Sequence, residues 1–465
     1  MNKMRAAFFS WTLQAAFTLS MLFFARVAPA ALEPVPEEAF SAPEAAGEAQ
    51  QPPDSGTQPS AGDFAASPPK LGDSLNPQDH PTPIFQQWLD RIFDLFAPGD
   101  PYARDKLKLV LGTSVGYDNN VLYSATNRIA SSTYGVNGAI DYHFGSRRLQ
   151  IDAKLNGGIN YYQNRPGGTD DQNYGLALNL AYQWMPRLGI AFNTYTAYLS
   201  QPSPQFVGGT FAFQGSYFYT DTQVNLNYQM RPRLSLVLGY EINGFKYDDE
   251  SMNESSGFYS QNYSLSANWL LSPRTTFVLE YRFNPVTYYE AGLGSTGQFF
   301  LLGVKQSLTP RLNYTLLFGA EYRELENPSP DSPPSYLGPF AEGTLVYNFA
   351  PRSTLNATMR LGTEPAGTSG VTIRQTFRSA LNASHQLGSR VSLDAGISFE
   401  YDKYDQPGAA ADYTQSLYTA SIAFRYQFAI ATSVVLQDSY SVLTGSLPDT
   451  SYTRNFVSLG LEVTF

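Results

Sequence analysis

The chain ends with the stretch Val457-Ser458-Leu459-Gly460-Leu461-Glu462-Val463-Thr464-Phe465, in which apolar and polar residues alternate without a break. Successive side chains of a β-strand point to opposite faces, so this stretch has one apolar face and one polar face. Such a strand suits either a soluble sandwich or a membrane barrel that has lipid outside and water inside. The rest of the sequence decides between these two folds.

Short turns that carry an arginine recur through the C-terminal three quarters of the chain. They are Gly145-Ser146-Arg147-Arg148, Met185-Pro186-Arg187-Leu188, Arg231-Pro232-Arg233-Leu234, Ser272-Pro273-Arg274-Thr275, Thr309-Pro310-Arg311-Leu312, Ala350-Pro351-Arg352-Ser353 and Gly388-Ser389-Arg390-Val391, with a weaker Ile430-Ala431-Thr432-Ser433. A spacing of 37 to 46 residues between the arginines fits two membrane-crossing strands, one tight turn and one longer loop. Proline cannot donate to a central ladder, so these turns mark chain reversal. The repeating unit is therefore a β-hairpin.

Longer segments rich in Gly, Pro, Asp, Asn and Ser separate the hairpins, for example 164–171 and 405–412. Counting hairpins predicts a closed antiparallel transmembrane β-barrel of about 18 strands over residues 105–465, an all-β fold. The first strand is predicted near 105–117 and the last near 453–465. An even count puts both barrel ends at the periplasmic rim, and the two end strands must pair because lipid cannot satisfy an open sheet edge.

The composition agrees with a barrel and excludes other classes of protein. The chain has 32 Tyr and 31 Phe, a load suited to the aromatic girdles at both membrane interfaces. Beyond the N-terminus, no run reaches the roughly 18 apolar residues of a spanning helix. The absence of cysteine excludes disulfides, thiol catalysis and thiolate metal sites. A net charge of -10 argues against a nucleic-acid partner.

The N-terminal region is predicted to contain three segments. Residues 1–30 have a basic start, an apolar core and a small-residue site at Ala28-Pro29-Ala30, which is typical of a cleaved signal peptide; an uncleaved anchor is the alternative. Residues 31–83 are dominated by Pro, Ala, Glu, Ser and Gly, which predicts a disordered periplasmic leader. Residues 84–97 form a predicted short amphipathic helix. This helix has three candidate positions: the inner leaflet surface, the barrel lumen or a periplasmic partner.

The sequence offers little for catalysis. Its histidines are His80 in the leader and His143 and His385, each just before a short turn. Both strand histidines therefore lie at the periplasmic rim, whereas outer membrane hydrolases hold the catalytic histidine toward the extracellular half. We expect no enzyme activity, no catalytic residue, no cofactor and no metal site.

The inward faces of the predicted strands carry charges of both signs, which implies water inside the barrel because unpaired charge in a dry interior is very costly. Distances from the hairpin centres place Glu342 opposite Arg360 and Arg378 opposite Glu400, so these four residues form a predicted row of inward charges, with Arg374 adding a further positive charge. Two roles remain open for this lumen-facing charge row. It either braces the wall or creates a transverse field that sets ion preference.

Two short stretches carry resemblances. The terminal Phe465 resembles the C-terminal signal by which outer membrane proteins are recognised for insertion, which implies the barrel assembly machinery as a partner. Gly116-Tyr117-Asp118-Asn119-Asn120-Val121 resembles the start of the barrel in the beta-barrel porin 2 family, which is similar to barrels encoded beside exopolysaccharide export systems. The resemblance implies a bacterial outer membrane location among lipid and lipopolysaccharide.

Three functions are then open. The first is a porin-like channel for passive or weakly selective passage of small hydrophilic solutes. The second is a component of an exopolysaccharide biosynthesis or secretion system, with residues 84–97 contacting a periplasmic partner. The third is a non-conducting structural barrel.

Overall fold

The computed structural model describes residues 107–146, 148–166, 170–200, 215–250, 257–289, 294–326, 334–364, 373–405, 413–446 and 451–465. These residues form eighteen strands, which are β1 Leu107–Asp118, β2 Ser131–Gly145, β3 Leu149–Tyr162, β4 Asp170–Met185, β5 Leu188–Leu199, β6 Tyr217–Arg231, β7 Leu234–Tyr247, β8 Phe258–Ser272, β9 Thr275–Tyr288, β10 Gly294–Thr309, β11 Leu312–Glu326, β12 Ser335–Ala350, β13 Ser353–Glu364, β14 Ile373–Gln386, β15 Val391–Asp405, β16 Tyr413–Ala429, β17 Thr432–Gly445 and β18 Tyr452–Thr464. Within this described part of the chain, no helix is long and apolar enough to cross a membrane.

Every strand pairs with its neighbours in the chain, and β1 pairs with both β2 and β18, so the sheet closes on itself. All of these pairings are antiparallel, including β1 with β18 from Val110 opposite Thr464 to Asp118 opposite Phe456. The prediction of a closed 18-stranded antiparallel barrel is confirmed. The predicted signal peptide (1–30), leader (31–83) and amphipathic helix (84–97) lie outside the described residues.

The outer face of the barrel is apolar because each strand places one parity of its side chains outside. On β7, Leu238 is 54% exposed while its neighbour Gly239 is buried. Glu241 lies on the same face of the strand as Gly239 and lines the lumen. The same alternation exposes Ile397 and Tyr401 on β15. A closed barrel with an apolar outer face has no unpaired strand edge to leave in lipid, so the barrel spans a membrane.

Asp438 is an exception on this apolar outer face. It lies in the middle of β17, directly opposite Ile422 of β16 and Val457 of β18, which are 47% and 39% exposed on the outer surface. Side chains directly opposite each other across a sheet point to the same face, so the carboxylate points outward with them. Among the described residues its Oδ1 atom is buried without a hydrogen-bond partner.

The short turns lock adjacent hairpins together at one rim. In the turn between β4 and β5, the Arg187 carbonyl accepts a hydrogen bond of 2.8 Å from the Gln229 amide of β6. The carbonyl of Arg233 accepts an equivalent bond of 2.8 Å from the Leu270 amide. The backbone carbonyl of the turn arginine thus adds one hydrogen bond to the ladder beyond the last paired residues. This bond does not involve the arginine side chain.

The barrel closes through a buried ion pair at the rim opposite the short turns. Asp118 ends β1 and is fully buried, and Arg454 near the start of β18 donates to its Oδ2 atom from Nε at 2.9 Å and from Nη2 at 2.6 Å. Arg454 also donates from Nη1 to the Tyr123 hydroxyl oxygen at 2.5 Å, and its guanidinium lies 4.5 Å from the centre of that ring. Burial raises the pKa of the Tyr123 hydroxyl, so the neutral phenol accepts this bond. We call Asp118, Tyr123 and Arg454 the seam latch.

Asn120 joins the loop that follows β1 to β18. Its side-chain amide donates to the carbonyl of Thr453 on β18 at 3.0 Å and to the carbonyl of Ser124 at 2.9 Å. At Gly116, an added Cβ would lie 2.7 Å from the Val457 carbonyl oxygen, so only glycine fits this close approach of β1 and β18. The stretch 116–121 is therefore built for closing the seam.

Phe465 lies at the other end of the same seam. Its backbone amide and carbonyl both bond to Leu109 of β1, at 2.8 Å and 3.1 Å. Phe465 packs against the buried Leu107, as do Ile140 and Tyr142. The last residue of the chain therefore contributes to closure of the barrel; its predicted role as an insertion signal stays a prediction.

Candidate channel lumen

The lumen holds a polar cavity of about 480 Å³ between β6 and β14. Five arginines and five acidic residues line it, together with several aromatic rings, amides and hydroxyls. The charged residues are Asp221, Glu241, Glu280, Arg282, Arg323, Glu342, Arg360, Glu364, Arg374 and Arg378. They come from strands that are far apart in the sequence, and the alternation of each strand turns them to the inside.

Arg282 on β9 joins two carboxylates. It donates from Nη1 to Glu342 Oε2 at 3.0 Å, and it forms a second, shorter bond to the other oxygen of the same carboxylate. Its Nε atom donates to Glu280 Oε1 at 2.5 Å. The guanidinium also lies 5.6 Å from the centre of the Phe340 ring. A bidentate pair of this kind fixes both side chains against the wall.

Arg323 on β11 forms a buried ion pair. Glu321, two residues earlier on the same strand, is fully buried and accepts from Arg323 Nε at 2.9 Å. The arginine also donates to Thr363 Oγ1 at 2.7 Å and to Ser295 Oγ at 2.9 Å. The Thr363 backbone amide donates to Glu321 Oε2 at 2.9 Å. These bonds satisfy both charges and join β10, β11 and β13 from the inside.

Glu364 at the end of β13 lies among three arginines. Arg374 Nη2 donates to its Oε2 atom at 2.6 Å and Arg378 Nη2 donates to the same oxygen at 3.0 Å. Arg360 Nε lies 3.6 Å from its Oε1 atom. Of the three arginines, Arg374 is 2% exposed and Arg360 is 43% exposed. The cluster therefore extends from the buried wall to the open lumen.

Two more carboxylates on β15 complete this cluster. Arg378 Nε donates to Glu400 Oε2 at 2.9 Å. Arg374 Nη1 lies 4.0 Å from Glu400 Oε1 and 3.8 Å from Asp402 Oδ2. Both carboxylates are buried, so each arginine of β14 is held between the acidic residues of its two neighbouring strands.

The predicted charge row lies in one register across four strands. Glu342 is directly opposite Arg360, Arg360 is opposite Arg378, and Arg378 is opposite Glu400. The ion pairs do not all follow that register. Glu342 bonds to Arg282, three strands away, and Arg360 approaches Glu364 on its own strand. Whether the row serves to brace the wall or to set a field stays a prediction.

Asp221 on β6 and Glu241 on β7 face the same cavity without an arginine beside them. Among the described residues, Glu241 accepts side-chain amide bonds alone, from Asn262 at 3.2 Å and from Asn243 at 3.4 Å. Asp221 lies between Tyr195 and Asn243 in the register of the sheet. One side of the cavity is therefore acidic, and the other carries the ion-paired arginines.

Both strand histidines bond to a neighbouring strand near the short-turn rim. His143 Nδ1 is paired with Asp152, and both side chains are about half exposed. His385 Nδ1 lies 2.6 Å from the buried hydroxyl of Ser353, and the Phe349 ring packs on the imidazole. Within the described residues, neither histidine belongs to a serine, histidine and carboxylate arrangement. In the same part of the chain, no three His, Asp or Glu side chains are grouped to hold a metal ion.

No family model matches the chain. No curated protein matches it either. Among solved structures, it is similar to OccAB4 of Acinetobacter baumannii, with 11% identity over 79% of this chain and 100% of that one and a TM-score of 0.41. It is also similar to the outer membrane protein opdK of Pseudomonas aeruginosa, with 10% identity over 78% and 99% and a TM-score of 0.43.

A BenF-like porin of Pseudomonas fluorescens Pf-5 gives 10% identity over 77% of this chain and 98% of that one, with a TM-score of 0.43. Likenesses at these identities and TM-scores carry no functional argument. The function therefore has to be inferred from the residues of the lumen themselves.

Three lumen residues, Glu364, Asp402 and Asp221, are not part of the charge row predicted from the sequence, although their strand positions indicate that they face inward. Glu364 is four residues from Arg360 on one strand, so both share a face. Asp402 shares the parity of Glu400, and Asp221 is opposite in parity to the outer residues Leu226 and Tyr228. Parity alone would have placed all three inside.

Proposed function

We propose that the protein is an outer membrane, porin-like channel for passive or weakly selective passage of small hydrophilic solutes. The observation that carries the proposal is the lumen wall, where arginines and carboxylates line a cavity inside a closed barrel with an apolar exterior. Charges at such density need water or partners, because burial of an uncompensated charge is very costly. A hydrated interior is what a solute channel requires.

The size of the barrel supports the same proposal. The diameter of a barrel grows with strand number, and barrels of 16 to 18 strands leave an aqueous channel. The eighteen strands found here reach that range. The charged residues are largely neutralised within the wall, and this favours passage of solutes over tight binding of one ligand.

Location and partners are part of the proposal. A predicted signal peptide at 1–30 would deliver the chain across the inner membrane, and Phe465 would present the C-terminal signal to the barrel assembly machinery. Outer membrane lipid and lipopolysaccharide would surround the apolar face. We propose no nucleic-acid partner, because the chain has a net charge of -10, and we propose no cofactor and no catalytic residue.

A role in exopolysaccharide secretion is the second candidate. Its support is the resemblance of residues 116–121 to the beta-barrel porin 2 family and its similarity to export-associated barrels. Asp118 and Asn120 of this stretch bond to β18 at the seam, a role that is independent of what passes through the lumen. The resemblance therefore supports the barrel type more than the cargo, and we place the channel first.

Conductance of the purified full-length chain in planar bilayers tests the proposal. We expect discrete current steps after insertion, and swelling of protein-containing liposomes in small sugars that declines as sugar size rises. Heat-denatured protein in the same detergent is the control. Absence of steps from a sample whose gel mobility shifts on heating, and which is therefore folded, would leave the structural-barrel alternative.

A further inference from the structure

We infer that Asp221 and Glu241 give the channel a preference for cations over anions. The inference rests on the proposed channel function and names the residues that set its selectivity. It starts from a difference between the two sides of the cavity: the arginines that line it are all ion-paired, and these two carboxylates are not.

The arginines are neutralised by residues of their own wall. Arg282 pairs with Glu280 and Glu342, and Arg323 pairs with Glu321. The remaining three, Arg360, Arg374 and Arg378, are paired as a group, and their acidic partners are Glu364, Glu400 and Asp402. Five arginines thus form ion pairs with six carboxylates. A paired charge acts on a passing ion as a dipole, whose field weakens faster with distance than that of a single charge.

No arginine of the described wall neutralises Asp221 or Glu241. Among the described residues, no basic side chain forms an ion pair with either, and the bonds made by Glu241 come from the neutral amides of Asn243 and Asn262. The two carboxylates lie on adjacent strands, and both line the cavity. They therefore add negative charge to a wall that already has one more carboxylate than arginine.

The net field of the cavity is then negative. Low-dielectric walls of one sign focus the field and concentrate counter-ions, so small cations are enriched and anions depleted. This direction is opposite to the one expected if the arginines of the predicted charge row, Arg360, Arg374 and Arg378, acted with their charge uncompensated. The sign of the selectivity in the unaltered protein consequently separates the two mechanisms.

The test measures the reversal potential of single channels in a tenfold gradient of potassium chloride. The unaltered chain should be more permeable to potassium than to chloride. Asp221→Asn should lower this permeability ratio by about two- to fivefold at low salt, and Glu241→Gln should do the same. The shift should shrink as salt rises, since exposed charges are screened. Either variant carries the test if the other does not fold.

Asp438→Asn is the matched control. It removes the same charge by the same substitution, but from the outer face of β17, and it should leave the ratio unchanged. Conducting channels that prefer chloride, or whose preference survives both lumen substitutions, overturn this inference and leave the channel function intact. A folded barrel without conductance overturns the channel function and the inference together.

Discussion

Replacing Asp438 by leucine should stabilise the barrel in lipid. Asp438 is the seventh of the fourteen residues of β17, which starts at a short turn of one rim. Six residues at about 3.3 Å each, on a strand tilted by about 40°, rise roughly 15 Å, which is near the middle of an apolar band about 25 Å tall. The carboxylate therefore lies close to the bilayer midplane, between Ile422 and Val457.

The expected gain follows from that depth. A charged arginine or lysine on the lipid face at the midplane costs roughly 2 to 4 kcal/mol, and an aspartate costs less. Removing the carboxylate should contribute about 1 kcal/mol, and the new apolar side chain beside Ile422 and Val457 should contribute about 1 kcal/mol more. Asp438→Leu should therefore raise the free energy of unfolding by about 2 kcal/mol.

Reversible unfolding in phospholipid vesicles by guanidinium chloride measures this change, with linear extrapolation to zero denaturant. Asp438→Asn should recover part of the gain, since it removes the charge and keeps a polar group. Ser439→Leu is a matched control on the next residue, which faces the lumen, and it should not stabilise. A leucine variant no more stable than the unaltered chain would refute the outward placement of Asp438.

The remaining predictions concern four other parts of the molecule. Leu238→Arg should lower the free energy of unfolding in lipid by roughly 2 to 4 kcal/mol. Unchanged stability would show that Leu238 faces the lumen and not lipid. Arg454→Gln should lower the free energy of unfolding by about 3 kcal/mol in the same assay, because it leaves a buried carboxylate unpaired. A loss under about 1 kcal/mol would show that the seam latch does not stabilise the barrel. Replacing both Arg360 and Arg378 by Gln should shift the reversal potential further toward cations and lower thermal stability, and a shift toward anions would contradict the ion-pair assignment. Deleting residues 31–97 should leave single-channel conductance unchanged, because an apolar helix face is misplaced against a charged wall; a large increase would place that segment in the lumen.

The strands could be predicted closely from the sequence because their signals are local. Short turns, five of which contain Pro-Arg, mark the reversals at one rim, longer polar loops mark those at the other, and alternation identifies the outer face of each strand. The predicted first strand at 105–117 differs from β1 by two residues at its start and one at its end, and the predicted last strand at 453–465 differs from β18 by one residue at each end. Closure of the barrel followed from the need to satisfy every strand edge in lipid.

The partners of the lumen charges could not be predicted in the same way. Register fixes which residues lie opposite each other, but long side chains reach beyond that neighbour. Arg282 of β9 reaches Glu342 of β12 across the concave interior, passing near the Phe340 ring. Such a pair depends on the curvature of the sheet and on which intervening side chains are small, and neither can be read from the spacing of two residues in a sequence.

The seam latch has a consequence for the order in which the barrel is made. Asp118 and Arg454 are separated by 336 residues, so their bond can form only when the last strand has reached the first. A barrel halted after seventeen strands would leave the Asp118 carboxylate without its cation. The seam latch therefore forms only in a complete barrel. Its contribution to stability is gained in the final step of assembly and not during formation of the individual hairpins.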